Sequence, residues 1–183
     1  MLRILFIAIT IVIGSSIIAA TAGPDDDARD AVAAMKRGDW NKAIDHWSRE
    51  IDSGKLDQRK LVPAYGNRAA SYSKLEKLIE ALSDFSKSLE LASGSNYPPK
   101  YIAYNYSNRA GVYIRLKRYQ LAIQDADQAI KLNGQDYLGF YYRGRGNMEL
   151  GQREAAIADF RAALRINPKH NSSRAALARL GVR

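Results

Sequence analysis

From residue 24 to residue 170, apolar residues recur at the spacing of amphipathic helices, and short polar turns separate these helices in pairs. The turns fall near Gly38-Asp39, Glu76-Lys77, Lys117-Arg118 and Gly151-Gln152. Glycine, present in two of the four turns, suits the left-handed residue that closes a helix. A further amphipathic segment, 172–180, follows Pro168. The pattern predicts eight helices in four hairpins, one final helix and no sheet.

The second half of the chain repeats itself at an interval of 34 residues. Residues 106–110 (YSNRA) correspond to residues 140–144 (FYYRG), and the Ala-Ile pair at 122–123 recurs at 156–157. The same motif occurs at 65–69 (YGNRA), 41 residues before 106–110. Fixed intervals of this length are typical of arrays of helical hairpins.

Within each unit, large and small residues recur in a set order. In the second unit the first helix carries Tyr65, Ala69 and Tyr72, and the second helix carries Ala81 and Phe85. This order resembles the tetratricopeptide repeat (TPR) family. The resemblance implies an all-α fold, a right-handed superhelix (α-solenoid) of about four TPR hairpins with a C-terminal capping helix.

Three departures from the family pattern are visible. Asn147 stands at the tyrosine position of the fourth unit, Ala126 replaces an aromatic residue in the third, and only the second helix of the first unit fits well. The predicted organisation is a signal peptide 1–22, a degenerate repeat 24–57, repeats 62–95, 103–136 and 137–170, and a capping helix 171–183.

An arginine and an aspartate recur 16 residues apart, the arginine in the first helix and the aspartate in the second. The pairs are Arg68 with Asp84, Arg109 with Asp125, and Arg143 with Asp159. Because the partner charge repeats in register, we interpret them as structural ion pairs, in which the guanidinium fork binds a carboxylate. A row of arginines that binds an anionic ligand is the alternative.

In TPR arrays, exposed residues of the first helices line a concave groove. Carried over by position, the groove residues are Asn67, Lys74, Tyr104, Asn108, Arg115, Tyr141, Tyr142 and Arg145. Similar arrays use asparagine at the positions of Asn67 and Asn108 to hydrogen-bond an extended peptide. Tyrosine offers large contact area with few rotatable bonds, and nine of the eleven tyrosines lie between Tyr97 and Tyr142. Ordinary soluble helix surface is the alternative for each position.

Charge and composition narrow the choice of partner and chemistry. The net charge is +9, and residues 100–183 hold 15 Lys and Arg against 6 Asp and Glu. This excess favours an acidic partner or an anionic membrane surface. The chain has no cysteine and only two histidines, His46 and His170, so no metal site or cofactor is expected. No catalytic motif is visible, and the chain is not expected to be an enzyme.

The N-terminus has the features of a secretory signal peptide. Arg3 precedes an apolar run, residues 4–13, and Ala20-Thr21-Ala22 offers a cleavage site. The expected mature chain begins near Gly23 and is exported, either to a bacterial periplasm or as a secreted protein. An uncleaved membrane anchor is the alternative, because residues 4–20 approach the length of a spanning helix.

Together these features predict an exported TPR scaffold that binds a peptide or acidic protein segment in its groove. An assembly or stability factor for a membrane or envelope complex is the alternative. Nucleic-acid binding is disfavoured, since only the basic half suggests it and the chain shows no nucleic-acid recognition fold.

Overall fold

The computed structural model describes residues 9–13, 16–20 and 26–182. The chain divides into two compact units, Met1–Ser95 and Asn96–Arg183. Across the described residues, helices account for all regular structure outside one short strand pair, and the predicted all-helical fold of paired helices is confirmed.

The described residues of the first unit form two strands and four helices. The strands, β1 (Ile9–Ile13) and β2 (Ser16–Ala20), pair antiparallel with Ile9 opposite Ala20. They correct the expectation of no sheet, and their physical basis is a segment rich in Ile and Val, which favour extended backbone. The predicted cleavage site lies outside the described residues. The helices are α1 (Asp26–Arg37), α2 (Trp40–Asp52), α3 (Gln58–Lys74) and α4 (Leu78–Ala92).

The second unit contains five helices: α5 (Pro99–Arg115), α6 (Tyr119–Leu132), α7 (Tyr137–Glu149), α8 (Arg153–Ile166) and α9 (Asn171–Arg179). Helices α5 and α6 form one hairpin, α7 and α8 form the next, and α9 packs on α8. In α9, Ala176 and Leu177 pack against Phe160 of α8. No helix within 26–182 is both long and apolar enough to cross a membrane.

The hairpins close through one shared turn geometry. Gly38, Glu76, Lys117 and Gly151 all have positive φ, between 57° and 78°. In each turn the following N–H donates to a carbonyl five residues back, as Arg118 does to Tyr113 over 2.8 Å, the pattern of a helix C-cap. Glu76 and Lys117 adopt this backbone although they carry a side chain, at a cost of about 1 kcal/mol each.

Small residues let the paired helices approach closely. Ala69, Ala81, Ala110, Ala122 and Ala156 are all completely buried. The aromatic rings Phe85 and Phe160 fill the remaining volume and are also completely buried. Helices α3 and α5 begin at Gln58 and Pro99, four residues before the predicted starts of their repeats at 62 and 103. Each therefore carries an additional N-terminal turn.

Candidate functional site

The structure brings each arginine of the 16-residue spacing to its aspartate. Arg68 donates through Nε and Nη2 to Asp84, over 2.6 and 2.9 Å. Arg109 binds Asp125 with the same two atoms, over 2.7 and 2.8 Å. These are two-point contacts between a guanidinium and a carboxylate that join the first and second helices of one hairpin. They have the geometry of the structural ion pairs proposed above.

The third pair is more extensive. Arg143 donates to Asp159 through Nε and Nη2, the latter over 2.7 Å, and through Nη1 to Asp127 of α6, also over 2.7 Å. Hydrogen bonding to Asp159 raises the pKa of Arg143 well above its usual value. Arg143 thus connects α7 to its own hairpin partner and to the hairpin before it.

Aromatic rings flank these arginines along the helix. Arg109 lies 5.6 Å from the ring centroid of Tyr106 and 5.8 Å from that of Tyr113, distances at which a guanidinium is attracted to an aromatic face. In α7 the residue at the second ring position is Asn147, whose Nδ2 donates to Asp159 over 3.0 Å. The departure from the family pattern at Asn147 therefore adds a hydrogen bond to the ion pair.

The degenerate first repeat reverses the charges. Asp27 of α1 accepts from Arg49 of α2 over 2.9 Å and lies 3.0 Å from Nδ1 of His46. Hydrogen bonding to Arg49, and then to His46, lowers the pKa of Asp27. In this repeat the acidic residue of the ion pair lies on the first helix and the arginine on the second.

Six of the predicted groove residues lie on the first helices of the second unit. Tyr104, Asn108 and Arg115 belong to α5, and Tyr141, Tyr142 and Arg145 belong to α7. Arg115 is exposed and the other five are partly buried. We call the surface formed by these six residues the α5/α7 face.

Tyr142 lies where α5 and α7 meet. Its ring lies so close to Gly111 of α5 that a Cβ there would stand 2.6 Å from the ring carbon Cζ. Burial raises the pKa of Tyr142 to about 12, while Arg115 and Arg145 act in the opposite direction. Gly111 was not among the predicted site residues. A glycine in the middle of a helix often marks a close packing contact and could have indicated it.

Asn67 and Asn108 do not have the predicted environment. Asn67 is only 2% exposed, so its amide does not lie on the surface as proposed. Asn108 donates from Nδ2 to the carbonyl of Tyr104 over 2.7 Å, which occupies one of the two N–H groups of the amide that is expected to bind a peptide backbone. The helical pattern indicates which way a side chain points but not which neighbours cover it. Lys74 is exposed, with Nζ 6.0 Å from the ring centroid of Trp40.

His170, which was not among the predicted groove residues, packs against tyrosines of α7. The ring of His170, just before α9, packs edge-on against Tyr141 at 4.7 Å and Tyr137 at 5.0 Å between centroids. Its Nδ1 lies 2.8 Å from Oγ of Ser173. Burial lowers the pKa of His170.

Acidification is expected to destabilise the protein through His170. Because its pKa is lower in the folded state, the unfolded state binds the proton more readily, and stability is lost as pH falls from about 6.5 through the folded pKa. Thermal unfolding between pH 8 and pH 5 should show this loss. The variant His170→Gln should lose less stability over the same range, whereas identical pH profiles would rule out His170 as the source.

Comparison with known proteins identifies the protein family to which the chain belongs. Residues 137–170, the range predicted for the fourth repeat, match the tetratricopeptide repeat, and the chain is a TPR repeat protein. Residues 29–125, more than half of the chain, match the family described as a domain of unknown function, DUF6340. The chain belongs to that family. TPR domains are typically scaffolds for protein–protein interaction.

Curated relatives share only the repeat region. Serine/threonine-protein phosphatase 5 of Mus musculus is 30% identical over 107 residues, which is 58% of this chain and 20% of that protein. Hsc70-interacting protein 1 of Drosophila melanogaster is 31% identical over 100 residues, 55% of this chain and 25% of that protein. The match spans about a fifth to a quarter of these relatives.

Solved structures agree in fold. MamA from Desulfovibrio magneticus RS-1 superposes with a TM-score of 0.67 at 17% identity, covering 87% of this chain and 86% of that one. The first TPR of Spaghetti (RPAP3), bound to the HSP90 peptide SRMEEVD, superposes with a TM-score of 0.60 at 23% identity, covering 69% and 94%. At these identities the likeness shows the fold alone.

Proposed function

We propose that this protein is an exported scaffold that acts by binding, not catalysis, and holds an acidic segment of a partner protein on the α5/α7 face. The observation that carries the proposal is that α5 and α7 place Arg115 and Arg145 on the same first helices as Tyr104, Tyr141 and Tyr142. Positive charge beside large, partly exposed rings suits an extended acidic peptide, because the rings supply contact area and the arginines supply charge-assisted hydrogen bonds.

The charge of the two helices supports an acidic partner. Helix α5 has no Asp or Glu, and α7 has only Glu149, its last residue. The neighbouring turn contributes Asp136, which accepts from the N–H of Leu138 and from the hydroxyl of Ser107. That carboxylate is already used in capping α7.

Two neighbours in fold support the same kind of ligand. The RPAP3 structures contain the HSP90 peptide SRMEEVD and the HSP70 peptide SGPTIEEVD, both with adjacent glutamates near the end. Those peptides are ligands of the RPAP3 domains. What they support here is the general idea that a TPR surface of this fold can hold an acidic peptide.

Binding of hexaglutamate to the full chain tests the proposal. We expect measurable affinity by isothermal titration calorimetry, a loss of affinity as salt rises, and no binding of hexaglutamine. Arg115→Ala should weaken binding several-fold without changing the melting temperature, because an exposed charge contributes little to folding.

The matched control is Lys131→Ala, which removes one exposed positive charge from the second helix of the same hairpin. It should bind hexaglutamate as the wild type does. Equal weakening by both variants would indicate attraction to the overall charge of the unit and contradict a site on the α5/α7 face.

Export rests on the signal-like N-terminus and has its own test. Mass spectrometry of the protein from its native cells should show an N-terminus near Gly23, because Ala20-Thr21-Ala22 offers small residues for cleavage. An intact Met1 in the membrane fraction would favour the anchored alternative.

A further inference from the structure

The C-terminal part of the chain has basic side chains but no acidic ones. Residues 160–183 contain six Lys and Arg and no Asp or Glu. Asp159, the last acidic residue of the sequence, is only 5% exposed and accepts from Arg143 and Asn147. No carboxylate side chain within this stretch therefore offsets its positive charge.

Four of these basic residues lie around the turn between α8 and α9. Arg161 and Arg165 are one helical turn apart on the exposed side of α8, and Lys169 lies in the turn itself. Arg174 of α9 is tied to the same turn, because its Nη2 donates to the carbonyl of Pro168 over 2.7 Å. We call these four basic residues the C-terminal basic surface.

No carboxylate between residues 26 and 182 neutralises the C-terminal basic surface. All four residues are exposed, and none of them forms an ion pair within that range. The arginines of the first helices differ, since Arg68, Arg109 and Arg143 each bind a buried aspartate. The chain thus pairs those arginines internally and leaves this surface charged.

Helix stability does not explain the position of Arg174. The residue lies near the N-terminus of α9, where the helix dipole disfavours a cation. Its Nη1 donates to Oδ1 of Asn171 over 2.7 Å, in addition to the contact with Pro168. Because these two contacts hold the guanidinium at the surface, little rotamer freedom remains to be lost when an anion binds.

The residues around these cations suit the surface of a membrane. Residues 161–182 contain no Phe, Tyr or Trp, the side chains on which nucleic-acid bases commonly stack. The exposed residues that follow Arg174 on α9 include Ala175 and Ala178, whose small side chains let lipid headgroups approach closely. An anionic bilayer requires only clustered positive charge, and clusters of about four to eight Lys and Arg are typical of proteins that bind one.

We propose that the C-terminal basic surface binds the protein to an anionic phospholipid bilayer, with its four cations in contact with lipid phosphate groups. The surface consists of residues from α8, α9 and the turn between them. None of these residues belongs to the α5/α7 face, so the inference goes beyond the proposed function.

A single fluorescent label reports contact between this surface and a bilayer. The chain has no cysteine, so Ala178→Cys, one turn beyond Arg174 on the exposed side of α9, provides one site for a polarity-sensitive dye. With the full chain, we expect the dye emission to change on vesicles made of equal parts phosphatidylglycerol and phosphatidylcholine, and salt should reverse the change. Vesicles of phosphatidylcholine alone should leave the emission unchanged, because binding of the apolar N-terminal segment does not bring α9 to the bilayer.

Removal of charge identifies the residues responsible. Arg161→Gln combined with Arg165→Gln should raise the lipid concentration that gives half of the emission change at least about tenfold, since each cation near an anionic membrane contributes a severalfold factor. The matched control combines Arg118→Gln with Lys131→Gln, two exposed cations of the preceding hairpin, and should respond as the wild type does. Melting curves of both double variants should match that of the wild type, because exposed charges contribute little to folding.

Three results would overturn the proposal. If the emission does not change on the anionic vesicles, the surface does not bind a bilayer. If the two double variants are weakened equally, the attraction belongs to the overall charge of the unit. If duplex DNA changes the emission at phosphate concentrations at which the vesicles do not, the partner is a nucleic acid.

Discussion

Replacing Asp159 by alanine is expected to lower the free energy of unfolding by about 3 kcal/mol. Asp159 is 5% exposed and accepts from Arg143 at two nitrogens and from Asn147. Its removal leaves a buried amide without its acceptor and a partly buried guanidinium that keeps only the half-exposed Asp127, and breaking a buried ion pair by removing one partner is strongly destabilising. Chemical denaturation followed by circular dichroism measures the difference.

Asp127 provides the matched control for Asp159. It also binds Arg143, over 2.7 Å, but its side chain is 50% exposed. Solvent screens such a contact, so Asp127→Ala should cost less than about 1 kcal/mol. Equal losses from the two variants would contradict the view that the Arg–Asp pair inside the hairpin is structural.

Replacing Phe160 by alanine is expected to cost about 4 kcal/mol. The ring is completely buried, and it lies against Gly144 so closely that a Cβ there would stand 2.8 Å from a ring carbon. It also supports Ala176 and Leu177 of the capping helix. Removing the ring leaves a cavity where α7, α8 and α9 meet. Because the residues around it are already closely packed, they cannot move far enough to fill the space.

A smaller substitution calibrates the Phe160 experiment. Phe160→Leu retains most of the apolar volume and should cost roughly 1 kcal/mol. A loss below about 1 kcal/mol for Phe160→Ala would mean that the ring is not central to the second unit. Both tryptophans, Trp40 and Trp47, lie in the first unit, so tryptophan fluorescence reports that unit separately.

The regular parts of the fold were predictable because they depend on periodic patterns. Hydrophobic spacing identifies helices since each amphipathic helix buries one stripe of residues. The interval of 16 residues between Arg109 and Asp125 repeats with the hairpin, and a contact between repeating elements must repeat with them. The same pairing therefore recurs at Arg68 and at Arg143.

Details that depend on packing were not predictable. The helical wheel places Asn67 toward the groove, but burial depends on neighbours that a single helix pattern does not contain. The contact of Arg145 with Tyr141 depends on rotamers, and His170 reaches Tyr141 only once the capping helix is in place. The left-handed backbone of Lys117 is likewise set by the hairpin around it, against its own preference.

The most direct test of a binding site on the α5/α7 face is to map where a bound acidic peptide perturbs the protein. Titration of hexaglutamate into isotope-labelled full chain should shift tyrosine ring and arginine side-chain signals of Tyr104, Tyr141, Tyr142 and Arg115. Signals from Lys131 and Arg161, on second helices of the same unit, should stay unchanged. Shifts confined to those second helices, with the first helices unaffected, would contradict the account.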